Sequence, residues 1–245
     1  MKQILSKIAL ADKDYGLIQE NDIIAVGVSG GKDSTLLLYA LELYRVKYRR
    51  NFKVIGIHID LGFGEEDFSP IQSFFDQYEI PLYAVDSKVS RILHQQLTKD
   101  GRIRCSLCSK FKKALVIAEG KKYNCNKVAF AHHADDAVET LLLNMIYGGR
   151  LACFTPFMPL TETGISFIRP FVYTREKDII AAHSVNHLPK IKSGCPMDGA
   201  TKRQEIKDLL NQIYTDYPQS KENFLMALHN LDNLDLWIKK KDVDK

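Results

Sequence analysis

"IIAVGVSGGKDSTLLLYALEL", Ile23 to Leu43, is the stretch whose reading decides the fold. A β-branched apolar run breaks at Ser29-Gly30-Gly31-Lys32-Asp33-Ser34, and a helical apolar pattern begins at once. Strand, glycine turn and helix in that order make an anion-binding element. The glycines admit a close backbone approach, and the first helical turn offers unpaired N–H groups with a partial positive charge. Lys32 adds a full charge, and Ser29, Ser34 and Thr35 add hydroxyls. Two better-known phosphate loops do not fit. A Walker A loop would need Gly at Val26 and Ser or Thr at Asp33, and Gly27, Gly30 and Gly31 are wrongly spaced for the dinucleotide pattern. A plain Ser-Gly-Gly turn is the competing reading. Its position between a buried strand and a helix argues against it.

Outward from this stretch, strand and helix signals alternate. Ile23–Val28, Lys53–Ile59, Leu82–Val85 and Lys127–Ala131 read as strands, with helices at Thr35–Tyr48, Pro70–Tyr78, Ser109–Lys122 and Asp135–Tyr147. That alternation predicts an α/β fold with a doubly wound parallel sheet. Ligands in such sheets bind beyond the carboxyl ends of the strands. The glycine loop and the "HHADD" stretch at His132–Asp136 both follow strands, so they are expected on one sheet edge. Further on, Ile165–Phe171 reads as another strand, Thr161–Gly164 as a turn and Thr174–His187 as a helix. Two closing helices follow at Thr201–Tyr214 and Lys221–Lys239. The expected division is an N-terminal helix over 1–20, a nucleotide-binding α/β domain over 21–190, and a helical C-terminal extension over 191–245.

With 245 residues, 45% of them apolar, the chain can bury a substantial core. No signal peptide and no apolar run of membrane-spanning length is visible, so a cytoplasmic protein without a membrane partner is expected. The net charge of +4 is small, but basic residues cluster. Arg45–Arg50, Arg102-Ile-Arg104, Lys110-Phe-Lys112-Lys113, Lys121-Lys122 and Lys190-Ile-Lys192 read either as solvated faces or as a nucleic-acid footprint.

Five cysteines in a reducing compartment point to metal binding or catalysis rather than disulfides. Cys105-Ser-Leu-Cys108 stands just before a helix; a redox pair, half a zinc site and an iron–sulfur pair are all open to it. Cys195, in "KSGCPMDG", is the other cysteine in a conspicuous loop, whereas Cys125 and Cys153 sit in apolar settings as packed thiols. His132, His133, Asp135, Asp136 and Glu139 crowd a helix start. Carboxylates there are favoured by the helix dipole alone. Beside a triphosphate they become magnesium ligands or orienting groups.

These residues carry a family resemblance. "SGGKDS" resembles the PP-loop of ATP pyrophosphatases, which cleave ATP to AMP and pyrophosphate, with Ser29, Gly30, Gly31, Lys32, Asp33 and Ser34 matching position by position. "CSLCSKFKKALVIAEGKK", "KVAFAHHADDAVETLLLNMIYGGRL" and "IRPFVYTREKDI" follow in the order of the tRNA 2-thiocytidine synthetase family, TtcA. The likeness runs from about Leu5 to Asn230. Archaeal-type tRNA 2-thiouridine synthetases share the loop and the cysteine triplet, but their zinc-binding cysteines have no counterpart here. The resemblance implies an adenine nucleotide alpha hydrolase-like fold and an ATP-dependent tRNA sulfurtransferase. Such an enzyme adenylates a pyrimidine C2 carbonyl, that of cytidine 32, and replaces the oxygen with sulfur.

Also implied are ATP and Mg2+ as cofactors and a [4Fe–4S] cluster on Cys105, Cys108 and Cys195. Adenine is expected against Ile57, His58 and Asp60. Catalytic roles fall to Lys32, Asp33, Lys112 and Asp135 or Asp136, with Arg102, Arg104, Lys110, Lys112 and Lys113 along the tRNA. The sulfur donor, a cysteine desulfurase or free sulfide, is left open, as is a homodimer. The family's second cysteine motif is C-x-x-C, whereas this chain has Cys195-Pro-Met-Asp198, which raises Asp198 as a ligand to the fourth iron. The competing classes are a small-molecule PP-loop ligase, a thiolase for another tRNA nucleotide, and a non-catalytic tRNA-binding protein.

Overall fold

Alternation along the first strand divides the core between two faces. Ile24 and Val26 of Ile23–Gly27 (β1) pack into one apolar cluster and Ala25 into another. The computed structural model describes residues 1–64, 67–98, 101, 103–191, 194 and 201–230. In chain order the remaining elements begin with α1 (Lys2–Tyr15), α2 (Lys32–Lys47), β2 (Lys53–Asp60), α3 (Ser69–Gln77) and β3 (Leu82–Asp86). The chain continues with α4 (Val89–His94), α5 (Cys105–Lys122), β4 (Lys127–Ala129), α6 (Ala134–Gly148), β5 (Phe157–Leu160) and β6 (Ile165–Ile168). It closes with α7 (Glu176–Val185), α8 (Lys202–Asp216) and α9 (Ser220–Ala227).

The sheet order is β3-β2-β1-β4-β6-β5. Its pairs are parallel except β5 with β6, an antiparallel edge hairpin. The chain winds outward from β1 through β2 to β3, then returns to lay β4 on the other side of β1. The topological switch therefore lies between β1 and β4, where an open α/β sheet leaves a crevice at its carboxyl end. Helices cover both faces. Residues of α1, α2 and α7 join Ile24, Val26 and Val54, whereas Val116 of α5 and Leu93 of α4 join Ala25, Ile55 and Ile57.

The expected doubly wound sheet is present. Its details differ from the sequence reading at several ends. Helix α2 begins at Lys32 and α5 at Cys105, so the glycine loop is shorter than expected and the C-x-x-C occupies the first helical turn. Serine and lysine are tolerated there because a first-turn residue need not face the core, and periodicity was silent about them. Helix α4 and edge strand β5 are too short to show a period, and Pro159 speaks against a strand in the second. Helix α9 ends at Ala227 rather than continuing to Lys239, and residues 231–239 lie outside the described residues.

Two compact units share the chain: residues 1–136 with 154–201, and residues 137–153 with the chain from Lys202 on. In the first, α1 packs Ile4, Leu5 and Ile8 into the main core. In the second, Val138 and Leu142 pack with Ile206 and Leu210. Arg203 there reaches Glu139 at 3.5 Å and Tyr147 bonds Glu205 at 2.9 Å.

Candidate active site

The glycine loop is braced by its own hydroxyls. The Ser29 N–H donates to Ser34 Oγ at 3.0 Å, and Ser34 Oγ and Thr35 Oγ1 donate to the Gly31 carbonyl at 3.1 and 3.0 Å. Gly30 has φ +83°, and a Cβ there would run into the Ile191 side chain. The Ile191 N–H donates to the Gly30 carbonyl at 3.0 Å, which ties the later chain to the loop. Gly31 caps α2 without a side-chain partner, so the first-turn N–H groups keep their partial positive charge.

A cavity of about 410 Å³ opens beside this loop at the β1/β4 crevice. Ser29, Gly31, Asp33 and Ser34 line one part of it, and Ile57, His58 and Asp60 at the end of β2 line another. His58 is fixed by donation from Nδ1 to the Val28 carbonyl at 2.9 Å and by stacking on Phe68 at 3.9 Å. Lys112 from α5 and Asp136 from α6 complete the wall. Gly30, Lys32 and Asp135 are adjacent to the cavity in sequence but do not line it.

Lys32 turns toward α7. Its Nζ lies 3.1 Å from Asp33 Oδ2 and 3.1 Å from Glu176 Oε1. Burial alone would lower its pKa, but the two carboxylates outweigh that and hold it above the usual 10.5. The charge therefore persists through the neutral range. The other Asp33 oxygen, Oδ1, is buried and has no hydrogen-bond partner among the described residues.

The head of α6 separates the two aspartates. The His133 N–H donates to Asp136 Oδ2 at 3.0 Å, and the Asp136 N–H donates to His133 Nδ1 at 3.3 Å. This is the reciprocal bonding of a capping box, with His133 in the place of the usual hydroxyl residue. Asp135 faces α7, accepting from Arg175 Nη1 at 3.2 Å and from the Glu176 N–H at 2.7 Å.

On α5, Cys105 and Cys108 stand three residues apart in the first turn, with Lys112 and Val116 one and two turns further along the same side. Cys105 is exposed and Cys108 half-buried. No acidic residue shares this turn. Two thiols so placed fit two positions of a thiolate-held cluster. Cys195, Asp198, Arg102 and Lys192 lie outside the described residues. Among the described residues no group of three or more His, Cys, Asp or Glu side chains is arranged to hold a metal ion.

The basic clusters separate on inspection. Arg50 pairs with Asp12 at 2.8 Å and Glu20 at 3.0 Å, and Arg45 with Glu42, so the fold pairs two of the four cations of that cluster. Arg104 and Lys110 are exposed, whereas Lys113 lies over the Phe130 ring at 5.9 Å. Sequence reasoning missed Glu176, Arg175 and Ile191. "TREKDI" drew notice only as a helix start, since an acidic residue in a first turn has an ordinary dipole explanation.

The PP-loop domain family matches residues 2–208, and the chain is a PP-loop protein. A protein of Geotalea uraniireducens named tRNA-cytidine(32) 2-sulfurtransferase is 34% identical over 94% of this chain and 91% of its own length. One of the same name from Geobacter sulfurreducens is 33% identical over 94% of this chain and 90% of the relative. The chain belongs to the tRNA-cytidine(32) 2-sulfurtransferase family. Among solved structures, the U34-tRNA thiolase NcsA of Methanococcus maripaludis, with its [4Fe–4S] cluster, superposes with a TM-score of 0.74. That match covers 97% of this chain and 80% of NcsA at 22% identity, and it speaks to the shared fold.

Proposed function

We propose that this protein thiolates tRNA, adenylating the C2 carbonyl oxygen of cytidine 32 with ATP and exchanging that oxygen for sulfur. The observation that carries the reading is that the glycine loop, the end of β2, Lys112 and Asp136 line one and the same cavity. Nucleotide and base chemistry can share one enclosure there, one helical turn from Cys108. The activity follows from membership of the sulfurtransferase family.

In this reading the C2 oxygen attacks the α-phosphorus of ATP, and pyrophosphate leaves with the electrons of the broken P–O bond. The loop N–H groups, Ser29 and Ser34 receive the departing pyrophosphate, and Lys32 compensates its charge. Ile57, His58 and Asp60 border the adenine. The unpartnered Asp33 Oδ1 and the cavity-lining Asp136 are the donors a magnesium ion would find, while Asp135 orients the head of α7. Sulfide then adds to C2, and AMP departs with the original oxygen; sulfur that arrives instead as a desulfurase persulfide leaves a C2–S–S–R disulfide, whose S–S bond a dithiol reductant must cleave with two electrons.

Cys105, Cys108 and Cys195 are the residues that would hold the cluster. When bound, it supplies iron with an open coordination position for sulfur. Lys112, one turn beyond Cys108 on α5, places a positive charge on the cavity wall beside the nucleotide. The exposed Arg104 and Lys110 are placed to meet the tRNA backbone, a contact that weakens with salt. The test is nucleoside mass spectrometry of tRNA from cells with and without the gene, paired in vitro with AMP release under anaerobic conditions. Loss of 2-thiocytidine at position 32 is expected on deletion. Unchanged thiolation there would overturn the reading.

A further inference from the structure

Lys32 and Asp135 belong to the two halves of the site, yet both terminate on the same residue. Glu176 takes the Lys32 ammonium on its side chain at 3.1 Å and gives its backbone N–H to Asp135 Oδ2 at 2.7 Å. Its neighbour Arg175 reaches Asp135 Oδ1 at 3.2 Å, and the Ala134 N–H donates to the Thr174 carbonyl at 2.9 Å. The start of α7 is thus pinned to the start of α6, which fixes the backbone of Glu176 and leaves only its side chain to follow Lys32. The Lys32 side chain keeps about a quarter of its surface, 27%, in contact with solvent, so the ammonium itself can swing.

We propose that Glu176 is a positioning residue that acts through Lys32, holding the ammonium against α7 in competition with a pyrophosphate group in the cavity. The inference rests on the ATP-pyrophosphatase reading of the loop and adds a residue to it. Lys32 is held by two carboxylates beside a cavity that it does not line. An anion that recruits this ammonium must draw it from Glu176. The arrangement keeps Lys32 charged and close by, and it moderates how tightly the leaving pyrophosphate is retained.

The experiment is a double-mutant cycle read by calorimetric titration with inorganic pyrophosphate. In Glu176→Gln, which keeps the shape and an acceptor oxygen but removes the charge, pyrophosphate should bind roughly two- to five-fold more tightly, the span of a part-exposed ion pair. In the Lys32→Met background the same change should leave affinity unaltered. Glu176→Asp, which draws the carboxylate back by one methylene, should tighten binding less than Gln does and covers the case of a misfolded glutamine variant. Dependence of the tightening on Lys32 is the readout that a purely structural residue would not produce. Equal or weaker pyrophosphate binding in both Glu176 variants overturns the proposal. Tightening that persists without Lys32 also overturns it, since Glu176 would then repel the anion directly. Failure of the unaltered protein to bind pyrophosphate would instead remove the loop reading, and this proposal with it.

Discussion

Single residues in this site are defined by what holds them when no chemistry is under way. Lys32 is the only cation of the loop, and no other side chain there can compensate charge developing on departing pyrophosphate. Lys32→Ala should lower tRNA-dependent AMP formation by ~10²–10³, the usual loss for one preorganised contact to developing charge. The visible spectrum of anaerobically purified protein should not change, which separates this defect from loss of a cluster. The cysteines divide in the same way. Burial pushes the Cys125 thiol up to about 11. A raised thiol pKa leaves it protonated below that value, so at pH 8 only about 10⁻³ of Cys125 is thiolate. Iodoacetamide at pH 8, read by peptide mass spectrometry, should label the exposed Cys105 and spare Cys125 in cluster-free protein.

At the scale of elements, the head of α6 combines a cap and a wall. Asp136 bonds the His133 N–H and lines the cavity, so its helix-capping and chemical duties can be separated by substitution. Asp136→Ala removes the acceptor of the capping box and should cost about 0.3–1.5 kcal/mol of stability together with adenylation activity. Asp136→Asn keeps an acceptor oxygen while losing the charge. It should melt within a degree or so of the parent yet still lose adenylation, if the carboxylate is used as proposed. Thermal melts and AMP release on the same preparations distinguish the two effects. A first-turn acidic residue with an ordinary dipole explanation can thus also serve a site, and only its neighbours reveal which duty it has.

For the molecule as a whole, the β1/β4 crevice depends on a buried charge at the opposite end of the strands. Lys127 Nζ pairs with Asp22 Oδ2 at 2.7 Å, the side chains 6% and 3% exposed, and Lys127 also donates to the Leu17 carbonyl. Asp22 in turn accepts from Asn126 Nδ2 and the Gln19 N–H. The entry to β1 and the entry to β4 are therefore locked in register. Asp22→Asn would strand the lysine in the interior and should cost about 3–5 kcal/mol in urea denaturation. Replacing both, as in Asp22→Leu with Lys127→Met, should recover much of that loss, because no uncompensated charge remains.

Strand–turn–helix order, the SGGKDS letters and the C-x-x-C pair were local enough to be read directly. Backbone propensity and apolar periodicity are properties of neighbouring residues, and β1, α2, β2 and β4 declared themselves within a residue or a few. The sequence also placed Ser29, Ser34, Ile57, His58, Lys112 and Asp136 as candidates, and all six line one cavity. Tertiary structure alone decided the rest. Asp12 and Glu20 neutralise Arg50 across a distance in sequence that no charge count reveals. Asp135 and Asp136 are adjacent letters with opposite duties, because successive helical positions point about 100° apart and meet different neighbours. Glu176 reads as an ordinary first-turn acid until the switch in strand order brings α7 beside the loop and puts its carboxylate on Lys32. Local order in the chain specifies elements and candidate chemistry; which charges meet is decided by packing, since ion pairs depend on distance in space rather than along the chain.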